Sequence, residues 1–346
     1  MLKPHNRAEI EFHRIREIGQ DGRNSTAHIV HDVQMDAQIV MKCISKGKLR
    51  SAAEYFNEAK SLYATSHQNV VPIIYACEDA DNIYIALPYY SVGSLKSLLN
   101  DRHLTVREIV RLGCQLLSGL HNIHSKGLIH FDIKPDNVLL SDRGEALLSD
   151  FGLAKQMYFG QAEPDQLYML IAAPEATVGP PYDLRFYIYQ VGLTLYRMCC
   201  GQGALREQFD NFRDAAGALD RREFAESLRA GTFPDRSIFA EHIPDRLKRA
   251  IVRCLQPDPQ NRYSSALELA NELAKVDSCF DWQFEQDADR KTWRRHEGDT
   301  EKCFSVMVDG STEFISLRNG RSRRKNEHCL ATMTTAQVKR VLRNEG

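Results

Sequence analysis

Residues 129–155 read IHFDIKPDNVLLSDRGEALLSDFGLAK. Within about twenty positions this stretch sets an imidazole (His130), a carboxylate (Asp132), an amine (Lys134), a carboxamide (Asn137) and a second carboxylate (Asp150). Taken singly, each has an ordinary explanation: Asp150 reads as a turn or cap aspartate, and His130 as a core histidine. Their density in one short segment makes it the place to look for chemistry.

Working outward, the residues just upstream, 105–127, carry the clearest helix pattern. Thr105 and Glu108 form a capping box, Ile109, Leu112, Leu116, Leu117, Leu120 and Ile123 make an apolar stripe, and Gly127 suits the stop. Further upstream, NIYIALPYY (82–90) is strand-like and Pro88 ends it. SAAEYFNEAKSLYATSH (51–67) reads as a helix, with Ser51 and Glu54 as capping box and Phe56, Ala59, Leu62 and Tyr63 on one face. The runs 11–19, AHIVHD and AQIVMK alternate as strands of a hairpin region. Downstream, 186–275 is mostly helical. A β-rich segment followed by a helix-rich one indicates layers of the α+β class, not a doubly wound parallel sheet.

The last seventy residues differ. They hold both tryptophans, Trp282 and Trp293, a hairpin pattern (304–308 and 312–317 around Asp309-Gly310) and a helix capped by Thr334 and Gln337 running to about Leu342. Residues 318–343 set Arg318, Arg321, Arg323, Arg324, Lys325, Lys339, Arg340 and Arg343 against Glu327. Such a run is more often a solvated face than a nucleic-acid site, and no aromatic stacking set accompanies it. The expectation is a small β-plus-helix unit that docks on the rest of the chain or recruits substrate, with nucleic acid disfavoured.

Composition sets the outer bounds. The 346 residues are 43% hydrophobic and 26% charged, enough to bury a sizeable core, and the net charge of −1 gives no global reason for a polyanionic partner. Nine cysteines, widely spaced and without a C-x-x-C pair, argue against a disulfide framework or zinc knuckle and favour a reducing compartment. The first ten residues lack a signal-peptide core, and no run reaches the ~18 apolar residues of a membrane helix. A cytoplasmic protein is expected.

At residues 129–155 the sequence resembles the protein kinase family. His130-Phe131-Asp132 matches its H-R-D-x-x-x-x-N loop with Asn137 in register, and Asp150-Phe151-Gly152 is D-F-G. Val40-Met41-Lys42 sits where V-A-I-K ends, Glu58 lies on the following helix, and Ala173-Pro174-Glu175 closes the segment. The resemblance covers roughly residues 12–275. It implies a bilobal protein kinase-like fold: a β-rich small lobe (12–88) and a helical large lobe (91–275), with residues 276–346 as a small C-terminal β/α appendage.

It also implies roles. Phosphoryl transfer needs positioning and charge neutralisation more than covalent chemistry. Lys42 would grip the α- and β-phosphates of ATP, braced by Glu58. Asp150 and Asn137 would offer Mg²⁺ the hard oxygen ligands it prefers. Asp132 would orient the acceptor hydroxyl and take its proton, and Lys134 would neutralise the γ-phosphate. The D-x-K spacing resembles serine/threonine kinases, so the expected activity is transfer from Mg-ATP to protein Ser/Thr hydroxyls, with autophosphorylation. Gly19 and Gly22 would cradle phosphate. Ala27 and Val40 would wall the adenine, Leu87 would act as gatekeeper, and Pro88, Tyr89 and Tyr90 as hinge. Glu175 and Arg262 would form a buried structural ion pair. His121 and His124 read as ordinary helix residues rather than as zinc ligands with His130.

Five departures from the family pattern matter. The glycine loop is irregular, with Ser25 for its third glycine. The valine and alanine of the adenine wall are exchanged into Ala27 and Val40, a volume-conserving swap. Phe131 replaces the arginine that receives an activation-segment phosphate, and the segment from Asp150 to Glu175 has no Ser or Thr, only Tyr158 and Tyr168, so activity is expected without phosphorylation there. Tyr168 also stands where serine/threonine kinases carry a threonine. Finally, Tyr187 stands where the family has an aspartate bracing the catalytic loop, with Asp183 four residues away as a candidate substitute. The rival reading is a pseudokinase, a nucleotide-binding scaffold without turnover. A small-molecule kinase on the same fold is the second rival.

Overall fold

A computed structural model describes residues 9–18, 25–49, 56–164 and 167–346. Its first layer is a five-stranded antiparallel sheet of β1 (Phe12–Ile18), β2 (Ser25–Asp32), β3 (Ala37–Ser45), β4 (Tyr75–Glu78) and β5 (Asn82–Pro88), ordered β1-β2-β3-β5-β4. Strand side chains alternate between faces. One face buries Val30, Ile39, Met41 and Ala86 beneath Phe12, Tyr75 and Tyr84. The register pairs Ala27 with Lys42, Ile29 with Val40, Val40 with Leu87 and Lys42 with Ile85, so Ala27, Val40, Lys42 and Leu87 share the other face.

Helix α1 (Asn57–Ala64) follows. The capping pair Ser51 and Glu54 lies outside the described residues. Ala59 and Leu62 are buried, but Tyr63 is 78% exposed, which corrects its placement on the apolar face. The apolar face is narrower than the pattern: Phe56, at φ +61° just ahead of the helix, packs on the core that holds Ala59 and Leu62, while Tyr63 stands in solvent.

The second layer is helical. It comprises α2 (Leu95–Asp101), α3 (Val106–Ser125), α4 (Arg185–Cys200), α5 (Gln202–Asp210), α6 (Arg221–Ala230), α7 (Asp245–Cys254) and α8 (Ala266–Leu273). Thr105 and Glu108 form the expected capping box, and the whole predicted stripe of α3 is buried. From Phe186 to Cys199 every residue of α4 is buried, so this helix is the spine of the layer. Gly192 permits it: a Cβ there would lie 2.6 Å from Cys254 Cβ. Between α3 and α4 run four short strands: β6 (Leu128–Ile129), β7 (Val138–Leu140), β8 (Ala146–Leu148) and β9 (Lys155–Gln156). The pair β6–β9 joins the two ends of the 129–155 stretch, and β7–β8 closes a hairpin within it.

Residues 283–324 form a second antiparallel sheet, an up-and-down meander of β10 (Gln283–Gln286), β11 (Arg290–Glu297), β12 (Thr300–Met307), β13 (Thr312–Arg318) and β14 (Arg321–Arg324). Phe284, Trp293, Phe304 and Phe314 are direct cross-strand partners, a ladder with centroids 5.3–5.8 Å apart. Helix α9 (Thr335–Glu345), capped by Thr334 and Gln337, closes this core with Val338, Val341 and Leu342. The unit docks on the helical layer. Trp293 Nε1 donates to buried His242 Nδ1 at 3.0 Å, Arg107 pairs with Asp281 at 2.6 Å, and Lys291 pairs with Glu241 at 2.8 Å. Burial pushes His242 down to about 3, which keeps it neutral and able to accept. Among the described residues no helix is long and apolar enough to cross a membrane.

Candidate active site

Lys42 stands mid-strand in β3. Its Nζ reaches Glu58 Oε1 of α1 at 2.6 Å and Asp150 Oδ1 at 2.8 Å. These groups are 16 and 108 positions away in sequence. Lys42 and Glu58 are largely buried, while the Asp150 side chain is half-exposed. Burial opposes the Lys42 charge, but Asp150 and Glu58 outweigh it and hold the amine above its ordinary value. Lys42 in turn holds the Asp150 carboxyl well below the usual carboxylate range. Burial pushes Glu58 up, with Lys42 pulling against it. Asp150 adopts φ +61°, and at Gly152 a Cβ would come within 3.3 Å of Asp150 Oδ1 and 3.5 Å of Lys42 Nζ. The glycine leaves that space open.

The loop between β6 and β7 carries the other groups. Asp132 Oδ2 accepts from Asn137 Nδ2 at 2.8 Å and pairs with Lys134 Nζ at 2.9 Å. Asp132 Oδ1 is buried with no partner among the described residues. A buried, unsatisfied carboxylate oxygen costs free energy unless something arrives to meet it. Asn137 Nδ2 is committed to Asp132, which leaves the carboxamide oxygen as an acceptor. The ring of Tyr168 covers Lys134 Nζ at 4.9 Å from its centroid.

His130 is structural. Its Nδ1 accepts the Asp132 N–H at 3.3 Å, so Nε2 carries the hydrogen and donates to the Ser149 carbonyl at 3.0 Å. Burial lowers its pKa and keeps it neutral. This one ring ties the strand ahead of Asp132 to the strand ahead of Asp150.

The bracing of this loop requires a correction. Asp183 does not reach it: both its oxygens serve Arg185. Tyr187 does not either. Its ring lies 3.9 Å from that of His124, and its hydroxyl, near Ala266, finds no partner of hydrogen-bond geometry among the described residues. The brace is Gln190, one turn further along α4 and fully buried. Gln190 Nε2 donates to the Phe131 carbonyl at 3.0 Å, and its Oε1 accepts the Ile133 N–H at 3.4 Å. The carboxamide thus grips the backbone on both sides of Asp132, at a residue, Phe131, held at φ +64°. Sequence reasoning missed it by weighing only Tyr187 and Asp183. Residues three apart share a helix face, so a carboxamide at 190 was the available signal.

Phe131 is fully buried, edge-on to Phe186 (5.6 Å) and Tyr182 (6.3 Å). Tyr182 and Ala162 exchange two backbone hydrogen bonds of 3.0 and 2.9 Å, which tie the 151–175 segment to this aromatic cluster. Glu175, at its end, forms a bidentate pair with buried Arg262 at 2.8 and 2.7 Å. Beside the polar groups, Ala27, Val40 and Leu87 supply an apolar wall, and the N–H groups of Tyr89 and Tyr90 have no backbone partner among the described residues. Gly19 and Gly22 lie outside the described residues. Oxygen donors at Asn137 and Asp150 fit a hard divalent cation, and the unsatisfied Asp132 Oδ1 fits an incoming hydroxyl donor.

Residues 12–275 match the family described as the protein kinase domain. Among curated relatives, a probable serine/threonine-protein kinase of Clostridium perfringens is 26% identical over 68% of this chain and 34% of its own length. The serine/threonine-protein kinase pkn2 of Myxococcus xanthus is 30% identical over 78% of this chain and 32% of its own. Human calcium/calmodulin-dependent protein kinase type 1B is 28% identical over 81% of this chain and 80% of its own. The chain spans about a third of the length of the first bacterial relatives it matches.

Proposed function

The chain belongs to the protein kinase family, and on that premise we propose that it is an active serine/threonine kinase that transfers the γ-phosphate of Mg-ATP to protein hydroxyls, its own included. One observation carries the reading: Lys42 bonds Glu58 and Asp150 at once, and the Asp132 carboxylate buries an oxygen that lacks a partner among the described residues. A scaffold has no chemical need of that set.

In this reading ATP lies between the sheet and the helical layer, its base against Ala27, Val40 and Leu87 and near the hinge Pro88–Tyr90. Lys42 contacts the α- and β-phosphates. Asn137 and Asp150 would hold Mg²⁺, which would supply neutralisation of phosphate charge. Asp132 Oδ1 accepts the proton of the acceptor hydroxyl as that oxygen bonds to the γ-phosphorus. The bond from phosphorus to the β–γ bridging oxygen breaks, and ADP leaves. Lys134 steadies the charge on the moving phosphoryl group. Lys134, and relatives bearing serine/threonine names, support Ser/Thr acceptors. The test is incubation with γ-labelled ATP and Mg²⁺, with and without a generic protein acceptor, followed by phosphoamino-acid analysis. Labelled phosphoserine or phosphothreonine is expected. No incorporation under any acceptor would return the chain to the scaffold reading.

We further assign the anchoring of the activation segment to apolar packing. Phe131, Tyr182 and Phe186 hold the place where an arginine and a phosphate otherwise meet. Phosphatase-treated protein is therefore expected to keep its rate within about twofold, as is the Tyr158→Phe/Tyr168→Phe variant, since phenylalanine retains the ring over Lys134. Abolition of activity by both treatments would refute this.

Gln190→Ala should strand the Phe131 carbonyl and the Ile133 N–H in a dry interior, a cost of about 1–3 kcal/mol concentrated beside Asp132. The expected readout is a kcat reduced roughly 10- to 100-fold with KM for ATP little changed. Gln190→Glu keeps one acceptor and should recover part of the loss. A kcat unchanged in Gln190→Ala would remove the bracing role.

A further inference from the structure

The outer corner of the second sheet carries charge that the fold leaves unanswered. Arg318 and Arg321 are directly opposed across β13 and β14, flanking the Asn319-Gly320 turn, and Arg323 follows two positions along. Every residue of β14 is exposed. None of these three arginines has an acidic partner among the described residues. Two neighbouring carboxylates are engaged elsewhere: Glu297 with Lys302, and Glu301 with Arg294. Like charges placed directly opposite on adjacent strands destabilise a sheet, so the arrangement costs stability in isolation.

Shape accompanies charge. Thr300, Ser316, Arg318, Asn319, Arg321, Ser322 and Arg323 line a shallow concavity of about 580 Å³. Thr300, Ser316, Arg318, Arg321 and Arg323 fall on one face of the sheet by register. β14 is an edge strand, paired to β13 alone, and its outer backbone groups meet no partner among the described residues. Charged residues often serve simply to guard such an edge. A guard needs only outward charge, however, whereas here two hydroxyls and a hollow sit among the guanidinium groups.

We propose that this corner binds an extended, Asp/Glu-rich segment of a partner protein, added as a sixth strand against β14. The free edge supplies backbone hydrogen bonds, and Arg321 and Arg323, two residues apart, match carboxylates at alternate positions of an added strand. Guanidinium forks suit carboxylates in bidentate geometry. The lining has no aromatic ring for base stacking and no apolar side chain for insertion into lipid, so a peptide fits better than nucleic acid or a membrane. The surface needs no nucleotide and stands independently of the kinase reading.

The test is fluorescence anisotropy of a labelled ten-residue peptide alternating Glu with Thr, titrated with the full chain at physiological salt. Saturable binding is expected, weakened at least tenfold by Arg321→Glu/Arg323→Glu and weakened also by Arg321→Gln/Arg323→Gln. N-methylation of alternate peptide amides should weaken it in the parent protein by blocking strand pairing. Circular dichroism of the variants, all at exposed positions, checks that they fold. The proposal is overturned if a Gln-Thr peptide binds equally well, if the charge-reversed variant binds unchanged, if N-methylation has no effect, or if a single-stranded oligonucleotide or phosphatidylserine vesicles bind tighter than the peptide.

Discussion

Asp132→Asn is expected to lower kcat by about 10²–10⁴, the typical contribution of one oriented general base. The substitution is nearly isosteric. Its amide oxygen can take the place of Oδ2 and keep the bonds from Asn137 Nδ2 and Lys134 Nζ. Its NH₂ then occupies the position of the buried Oδ1, which in the parent protein has no partner among the described residues. The oxygen that would receive the acceptor proton is gone, while the scaffold around it persists. The effect should thus fall on turnover, with ATP affinity and the unfolding midpoint close to those of the parent. Single-turnover measurements with labelled ATP, paired with a thermal melt, separate the two. A variant retaining more than a third of the parent rate would exclude Asp132 as the base.

Arg262→Met should destabilise the protein by about 3–5 kcal/mol, the range for breaking a buried ion pair by removing one partner. The Arg262 side chain is fully buried, lies over the ring of Tyr189, and bonds Glu175 twice and the carbonyls of Gln256, Pro257 and Arg185. Methionine approximates the volume and supplies none of these donors. Glu175 would be left as a carboxylate without its counter-charge, together with three carbonyls. Urea unfolding measures the loss. Glu175→Leu/Arg262→Met should recover part of it, because it removes the stranded carboxylate, but not all, because the carbonyls remain. A loss under 1 kcal/mol in the single variant would show that water reaches the site and that the pair is not structural.

Short-range signals were read well. The capping box at Thr105 and Glu108, the buried stripe of α3, the strand ending at Pro88 and the capped helix from Thr335 all occur as the pattern dictates. The hairpin around Asp309-Gly310 is present too, with strands a few residues longer than the pattern indicated. Each depends on residues within one or two turns of one another, where spacing alone carries the information. The meeting of Lys42 with Glu58 and Asp150 was reached only through family resemblance, because no local pattern joins groups more than a hundred positions apart.

Chemical capacity is therefore written in the chain itself. The 129–155 stretch holds its carboxylates, amide and amine at fixed spacings, and the strand and helix patterns around it follow from backbone sterics and burial. Which side chain braces that stretch is settled by packing. The rotation of α4, seated closely against α7 at Gly192, turns Gln190 toward Phe131 and Ile133 and leaves Tyr187 against His124. The arginines of the last sheet are likewise plain in the chain, but their convergence on one open edge arises only when five strands align in register. Helix rotation and strand register minimise the free energy of the whole core, a sum over distant contacts that no short window of sequence contains.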